Sequence, residues 1–147
     1  MRHACLNILL LSLLGIVIIF SQPTLASAAL ITDVRFWSAP ANTRVVLDLT
    51  EPVQYESFSQ ENPPRCNLEI KEAILFTKKR EVIVNDPFLS KITLAVLGGG
   101  KVKVVLHQKK PLQANILTLK PYIEKPPRLV IDLLDLTQEK KVEDERK

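Results

Sequence analysis

The chain has 147 residues, with 20 Lys and Arg against 16 Asp and Glu and a formal net charge of +4. That length suits one domain rather than two. Two cysteines leave no room for a disulfide framework, and a mild positive balance with interspersed signs gives no single-sign field that would draw nucleic acid.

Residues 1–29 read as a secretory signal peptide. Arg2 and His3 give a positive start, residues 6–20 are an uncharged run dominated by Leu, Ile and Val, Pro23 breaks it, and Ala26-Ser27-Ala28 is a small-residue cleavage signature. The run is shorter than the about 20 apolar residues a spanning helix needs. Cleavage after Ala28 or Ala29 is therefore expected, with no stable membrane span afterwards. Cys5 leaves with the segment, so Cys66 has no intramolecular partner and reads as a small buried apolar residue.

Almost every later segment reads as strand. Residues 31–37 alternate, with Val34 and Phe36 on one face and Arg35 and Trp37 on the other; in 43–49, Val45, Leu47 and Leu49 share a face. Less regular stretches, 53–59 and 112–118, each follow a proline. Cys66, Leu68 and Ile70 alternate with Asn67 and Glu69, as Leu129, Ile131 and Leu133 do with Val130 and Asp132. Further strands are expected at 73–77, 80–84, 90–96 and 101–107, with a turn at Asn85-Asp86-Pro87 and a hairpin at Gly98-Gly99-Gly100. Residues 137–147 are almost wholly charged and read as a solvated tail.

The body is written twice. Val45-Val46-Leu47 is followed by Pro52-Val53-Gln54 and Pro63-Pro64-Arg65; Val104-Val105-Leu106 is followed by Pro111-Leu112-Gln113 and Pro126-Pro127-Arg128. Each copy supplies an entry strand, a Val-Val-Leu strand, a post-proline strand and a Pro-Pro-Arg strand. Residues 30–136 thus read as an all-β, pseudo-symmetric sandwich of two small sheets, each half covering the other's apolar face.

The inventory of reactive groups argues against an enzyme. After residue 29 one histidine, His107, and one cysteine, Cys66, remain, whereas a catalytic zinc takes three protein ligands. There is no Gly-x-Ser-x-Gly elbow for a triad, and the Gly98–Gly100 run lacks the Lys-Ser/Thr of a phosphate loop. Asp48, Glu69 and Asp132 could in principle drive glycoside hydrolysis, but on repeated strands beside Arg44, Arg65 and Arg128 their simpler role is cross-strand pairing. No cofactor or metal is expected. What remains is a binding surface: Trp37 can stack on a sugar face, and Arg35, Arg44, Arg65 and Arg128 can fork onto carboxylates or amide carbonyls. The alternatives are a tryptophan covering the sheet rim and arginines held in cross-strand salt bridges.

These same residues carry a family resemblance. Val34-Arg35-Phe36-Trp37-Ser38, Thr43 to Leu49, Pro63-Pro64-Arg65, Asp86-Pro87, Val102 to Leu106 and Pro127 to Leu133 resemble the AMIN domain across 30–135. The resemblance implies a periplasmic protein, a pseudo-symmetric two-sheet sandwich, and peptidoglycan binding or localisation to the septum or envelope. Arg35, Arg44, Arg65 and Arg128 match the family's recurring arginines. Two alternatives follow: an adaptor docking on a secretin or division complex, and the targeting part of a separately encoded amidase. Position 67 departs from the pattern, with Asn where the second copy has Val130.

Overall fold

A computed structural model describes residues 27–135. Most of the expected signal segment and the charged tail fall outside them. Ten strands follow in chain order: β1 Ala29–Ser38, β2 Asn42–Leu49, β3 Gln54–Glu61, β4 Pro64–Lys71, β5 Ala73–Leu75, β6 Glu81–Ile83, β7 Leu89–Leu97, β8 Lys101–Gln108, β9 Gln113–Leu119 and β10 Arg128–Leu134. The expected strands at 73–77 and 80–84 are shorter than their apolar patterns suggested.

Sheet A has the order β5-β1-β2-β10-β9 and sheet B the order β3-β4-β8-β7-β6. Exchanging β1–β4 with β7–β10 and β5 with β6 turns one order into the other. The two halves do not form one sheet each. Each half gives a hairpin to both sheets, and the crossover falls at the proline after the Val-Val-Leu strand. Pro52 separates β2 in sheet A from β3 in sheet B, and Pro111 separates β8 in sheet B from β9 in sheet A. A proline cannot donate to the ladder, so the strand stops there and the chain changes sheet.

Alternation supplies the core. Val45, Leu47 and Leu49 of β2 and Leu129, Ile131 and Leu133 of β10 face Cys66, Leu68 and Ile70 of β4 and Val102, Val104 and Leu106 of β8 in one buried cluster. Each such side chain, fully buried, contributes roughly 1.5–3 kcal/mol relative to exposure.

Two β-bulges fix which residues reach the surface. Ile31 and Val34 are both buried although three positions apart, because the β1–β2 register shifts between Ile31 and Asp33. The β7–β8 register shifts at the matching place, between Leu89 and Lys91, so that Leu89 and Ile92 both point inward. The skipped residue is a hydroxyl in each case: Thr32 Oγ1 donates to the Asp48 carbonyl at 3.1 Å and Ser90 Oγ to the His107 carbonyl at 3.1 Å. A bulge re-aims the strand beyond it, and here it turns Arg35 and Trp37 outward.

Asp86 ties the sheets together. Its carboxylate, 8% exposed, accepts from Ser38 Oγ at 2.6 Å and Thr43 Oγ1 at 2.5 Å on the β1–β2 hairpin of sheet A. It also accepts from the amides of Phe88 at 2.8 Å and Leu89 at 2.6 Å at the start of β7 in sheet B. Burial alone would raise its pKa, but these four donors hold it below the usual carboxylate range.

Candidate binding face of sheet A

Register places the outward side chains of sheet A in three rows. One row reads Trp37, Arg44, Asp132, Asn115 across β1, β2, β10 and β9; the next reads Arg35, Val46, Val130, Leu117; the third reads Asp33, Asp48, Arg128, Leu119. Four of the five residues anticipated for ligand contact, Arg35, Trp37, Arg44 and Arg128, therefore share this face. Arg65 does not. It lies on β4, on the outer face of sheet B, opposite His107.

Two of the arginines are held by carboxylate forks. Arg35 Nε and Nη2 each lie 2.7 Å from an Asp48 oxygen, a diagonal pair between β1 and β2. Arg44 Nε and Nη2 lie 2.7 and 2.8 Å from the Asp132 oxygens, directly across β2 and β10. The carboxylates are largely buried while the guanidiniums stay about half exposed. Hydrogen bonding to Asp48 and Asp132 raises the Arg35 and Arg44 pKa values further, so both remain charged at any ordinary pH. A guanidinium has five N–H donors in a plane. The fork uses two, leaving the others oriented towards solvent on a group that can no longer rotate freely. Stability gains little from such half-exposed pairs; orientation is what they supply.

Arg128 differs. Its cross-strand neighbour is Asp48, whose two oxygens face the Arg35 fork, and Arg128 Nε is buried without a hydrogen-bond partner. Cross-strand pairing thus holds for Arg44 with Asp132, whereas Asp48 pairs with Arg35, and neither Arg65 nor Arg128 forms a carboxylate pair among the described residues. Trp37 is 76% exposed, so it does not serve as a buried rim plug. With Ala39, Asn42 and Arg44 it lines a shallow, open concavity at the β1–β2 hairpin. Between the ionic rows lies an apolar stripe in which Val130, though outward, is only 4% exposed and Leu117 is 43% exposed. The face therefore offers an exposed ring, fixed guanidinium donors and a small apolar strip.

The equivalent face of sheet B is built differently. Thr93 stands where sheet A has Arg35, and His107 where it has Asp48; Thr93 Oγ1 and His107 Nε2 are 3.0 Å apart. Burial, then the charges of Arg65 and Lys91, push the His107 pKa down, which favours the neutral ring; an imidazole carries no negative charge in either form, so Arg65 has no counter-charge there. Lys103 faces Glu69 and stands 5.7 Å from the centre of the Phe58 ring. Asn67, the polar departure noted in the sequence, is buried here with Nδ2 unpartnered.

The catalytic candidates do not converge. His107 points out of sheet B and Cys66 into the core, so the two reactive side chains lie on opposite sides of one sheet. Cys66 is buried, which pushes its thiol pKa up to about 11. Among the described residues no three His, Cys, Asp or Glu side chains cluster as metal ligands. Sequence reasoning overlooked Asp86 as a tie between sheets. The visible signal was a carboxylate two to three residues before Phe88-Leu89, the spacing at which Asp accepts from following amides.

Known proteins resemble the chain over most of its described length. The chain is 30% identical over 106 residues to the N-acetylmuramoyl-L-alanine amidase AmiC of Neisseria meningitidis serogroup B, covering 69% of this chain and 26% of that protein. It is 26% identical over 117 residues to AmiC of Escherichia coli O6:H1, covering 77% of this chain and 28% of that protein. The chain thus spans about a quarter of the length of these curated relatives. The AMIN domain model matches residues 33–133, from the bulge of β1 to Leu133 in β10, and the chain belongs to the AMIN domain family.

Proposed function

We propose that this protein is a non-catalytic module of the cell envelope, exported to the periplasm, that holds peptidoglycan against the outer face of sheet A. The observation that carries this reading is the gathering of Arg35, Arg44, Arg128 and an exposed Trp37 on one face. Two of the guanidiniums are fixed by carboxylates and the third is left without one. Peptidoglycan offers matching chemistry: sugar faces for the indole, stem-peptide carboxylates and amide carbonyls for the guanidiniums. The matched relatives are N-acetylmuramoyl-L-alanine amidases, whose name puts their chemistry at a bond of that polymer, and this supports it as the ligand. Amidase, secretin or division proteins would then be neighbours on the wall rather than the primary ligand.

The test is co-sedimentation of residues 30–147 with purified sacculi at low salt, comparing Trp37→Ala, Arg128→Ala and Arg65→Ala. Each charge-assisted contact is worth about 1.5–3 kcal/mol, so Arg128→Ala should weaken binding by roughly tenfold or more. Arg65→Ala, on the opposite face, should leave it unchanged. Absence of sedimentation by the wild type would sink the reading. Equal losses in Arg65→Ala and Arg128→Ala would place the contact on both faces instead.

A further inference from the structure

The two sheets have four edge strands: β5 and β9 in sheet A, β6 and β3 in sheet B. An open edge is a template for pairing with another chain, and folded proteins blunt it by shortness, charge, proline, bulges or cover. Three of the four edges here are blunted. β5 and β6 have three residues each. The strands beside them are crossed by residues 76–80, where Lys79 Nζ donates to the Val34 carbonyl and the Arg80 carbonyl accepts from the Leu94 amide. β3 carries Glu56 and Glu61, and Glu56 is paired with Lys71 across to β4.

β9 has none of these devices. It is seven residues long, Gln-Ala-Asn-Ile-Leu-Thr-Leu, without charge or proline, and it pairs with β10 in unbroken register. Leu117 and Leu119 stand on its outer side, 43% and 37% exposed. One hydrogen bond reaches it from the side of β3, a long one of 3.4 Å from the Tyr55 hydroxyl to the Ile116 carbonyl, which keeps a second lone pair. The contrast with β3 is informative because the two strands occupy equivalent places in the sheet orders: one is defended by carboxylates and the other is bare.

We propose that β9 is a homodimerisation edge, pairing antiparallel with β9 of a second copy to give one continuous ten-stranded sheet. The sequence of β9 is compatible with itself. Centred on Ile116, the pairing sets Gln113 against Leu119 and Asn115 against Leu117 on the outer side, and Ala114 against Thr118 on the inner side. No charge meets a like charge, Lys120 falls opposite Leu112, and the two Leu117 side chains become diagonal neighbours, the arrangement in which cross-strand pairs add stability. A two-fold axis through Ile116 closes the assembly at two copies, since the far edge of sheet A is the short β5. A foreign strand with an apolar, uncharged edge is the competing occupant.

Sedimentation equilibrium on residues 30–147, from micromolar to millimolar concentration and without wall material, tests this independently of any ligand. A monomer–dimer equilibrium is expected. Leu117→Lys, at an exposed position, should leave the melting temperature of the dilute monomer unchanged and weaken the dimer about tenfold or more, as an edge lysine does. Mild oxidation of a mixture of Asn115→Cys and Leu117→Cys should give a disulfide-linked heterodimer, with little product from either variant alone; the buried Cys66 does not compete. A monomer throughout the concentration range overturns the proposal, and so does a dimer indifferent to Leu117→Lys. Crosslinking of each variant with itself as readily as in the mixture would overturn the register.

Discussion

Removing the Asp86 carboxylate should be among the most damaging single changes on this chain. Asp86→Ala deletes the acceptor of four hydrogen bonds and leaves the Thr43 hydroxyl and the Phe88 and Leu89 amides, all buried, without partners. Each stranded donor costs about 1–3 kcal/mol. Part of that is offset because a charge no longer has to be desolvated, so a loss of about 4 kcal/mol is expected. A domain of this size has roughly 5–15 kcal/mol in all. Asp86→Asn keeps an acceptor for the two amides and should lose about half as much. Urea unfolding followed by far-ultraviolet circular dichroism is the suitable assay, since Trp37 is solvated in the native state and its emission would report unfolding poorly. The pH dependence has a fixed sign. The folded pKa of Asp86 lies below its unfolded value, so between the two the unfolded chain binds more protons and stability rises with pH. The stabilisation from ionised Asp86 is fully present above about pH 4 and fades as pH falls through the folded value. Wild type and Asp86→Ala should therefore converge in acid only. A loss under about 1 kcal/mol in Asp86→Ala, or a gap between the two proteins that ignores acid, would refute the assignment of Asp86 as a clasp.

Other substitutions separate the fold from the face. Arg128→Ala should change the urea midpoint little, since no carboxylate pairs with it, whereas Arg44→Ala strips the partner from the largely buried Asp132. The exposure of Arg44 holds that loss to about 1 kcal/mol, and Arg128 is the cleaner probe of binding. Cys66 should resist iodoacetamide at pH 8 in the native state and react once unfolded in urea, because its thiol is buried with a pKa pushed up to about 11. Ile123→Gly should stabilise the protein by about 0.5–1 kcal/mol in the same urea assay. Ile123 has φ +53° and is 86% exposed, in the turn closed by the mutual backbone hydrogen bonds of Tyr122 and Lys125, so glycine relieves strain without losing packing.

Much of the strand content was legible because one buried face per strand imposes period-two alternation, and Val45-Val46-Leu47 and Leu129 to Leu133 obey it. What alternation cannot carry is the partner. β2 pairs with β10 and β4 with β8, each from the other half of the chain, and no local pattern encodes that exchange. The bulges were hidden for a related reason: Ile31 and Val34 look out of phase until an extra residue is inserted between them. For the site, Arg35 and Trp37 were correctly placed outward by their spacing. Arg65 and Arg128, identical in motif, were indistinguishable in sequence and lie on opposite faces. Asp86 read as a turn residue because its partners Ser38 and Thr43 are more than forty positions away.

The pseudo-symmetry makes the difference between the faces interpretable. Inward positions are apolar in both halves because each sheet is the other's solvent barrier: Leu47 and Leu106 are both fully buried, as are Leu68 and Ile131. Outward positions carry no such demand and differ at most sites. Trp37 matches Ala95, Arg35 matches Thr93, Arg44 matches Lys103, Asp48 matches His107 and Asp132 matches Glu69. The differences share one direction. Each arginine–aspartate fork of sheet A is replaced on sheet B by a group that does not fork: a hydroxyl on an imidazole, and a lysine, which is a point charge on a flexible stem. Sheet A therefore holds its donors in fixed directions while sheet B only carries charge. Pro-Pro-Arg, shared by both halves, is not what separates them. The neighbours of its arginine are: Asp48, engaged by Arg35, beside Arg128, and a histidine with a lowered pKa beside Arg65.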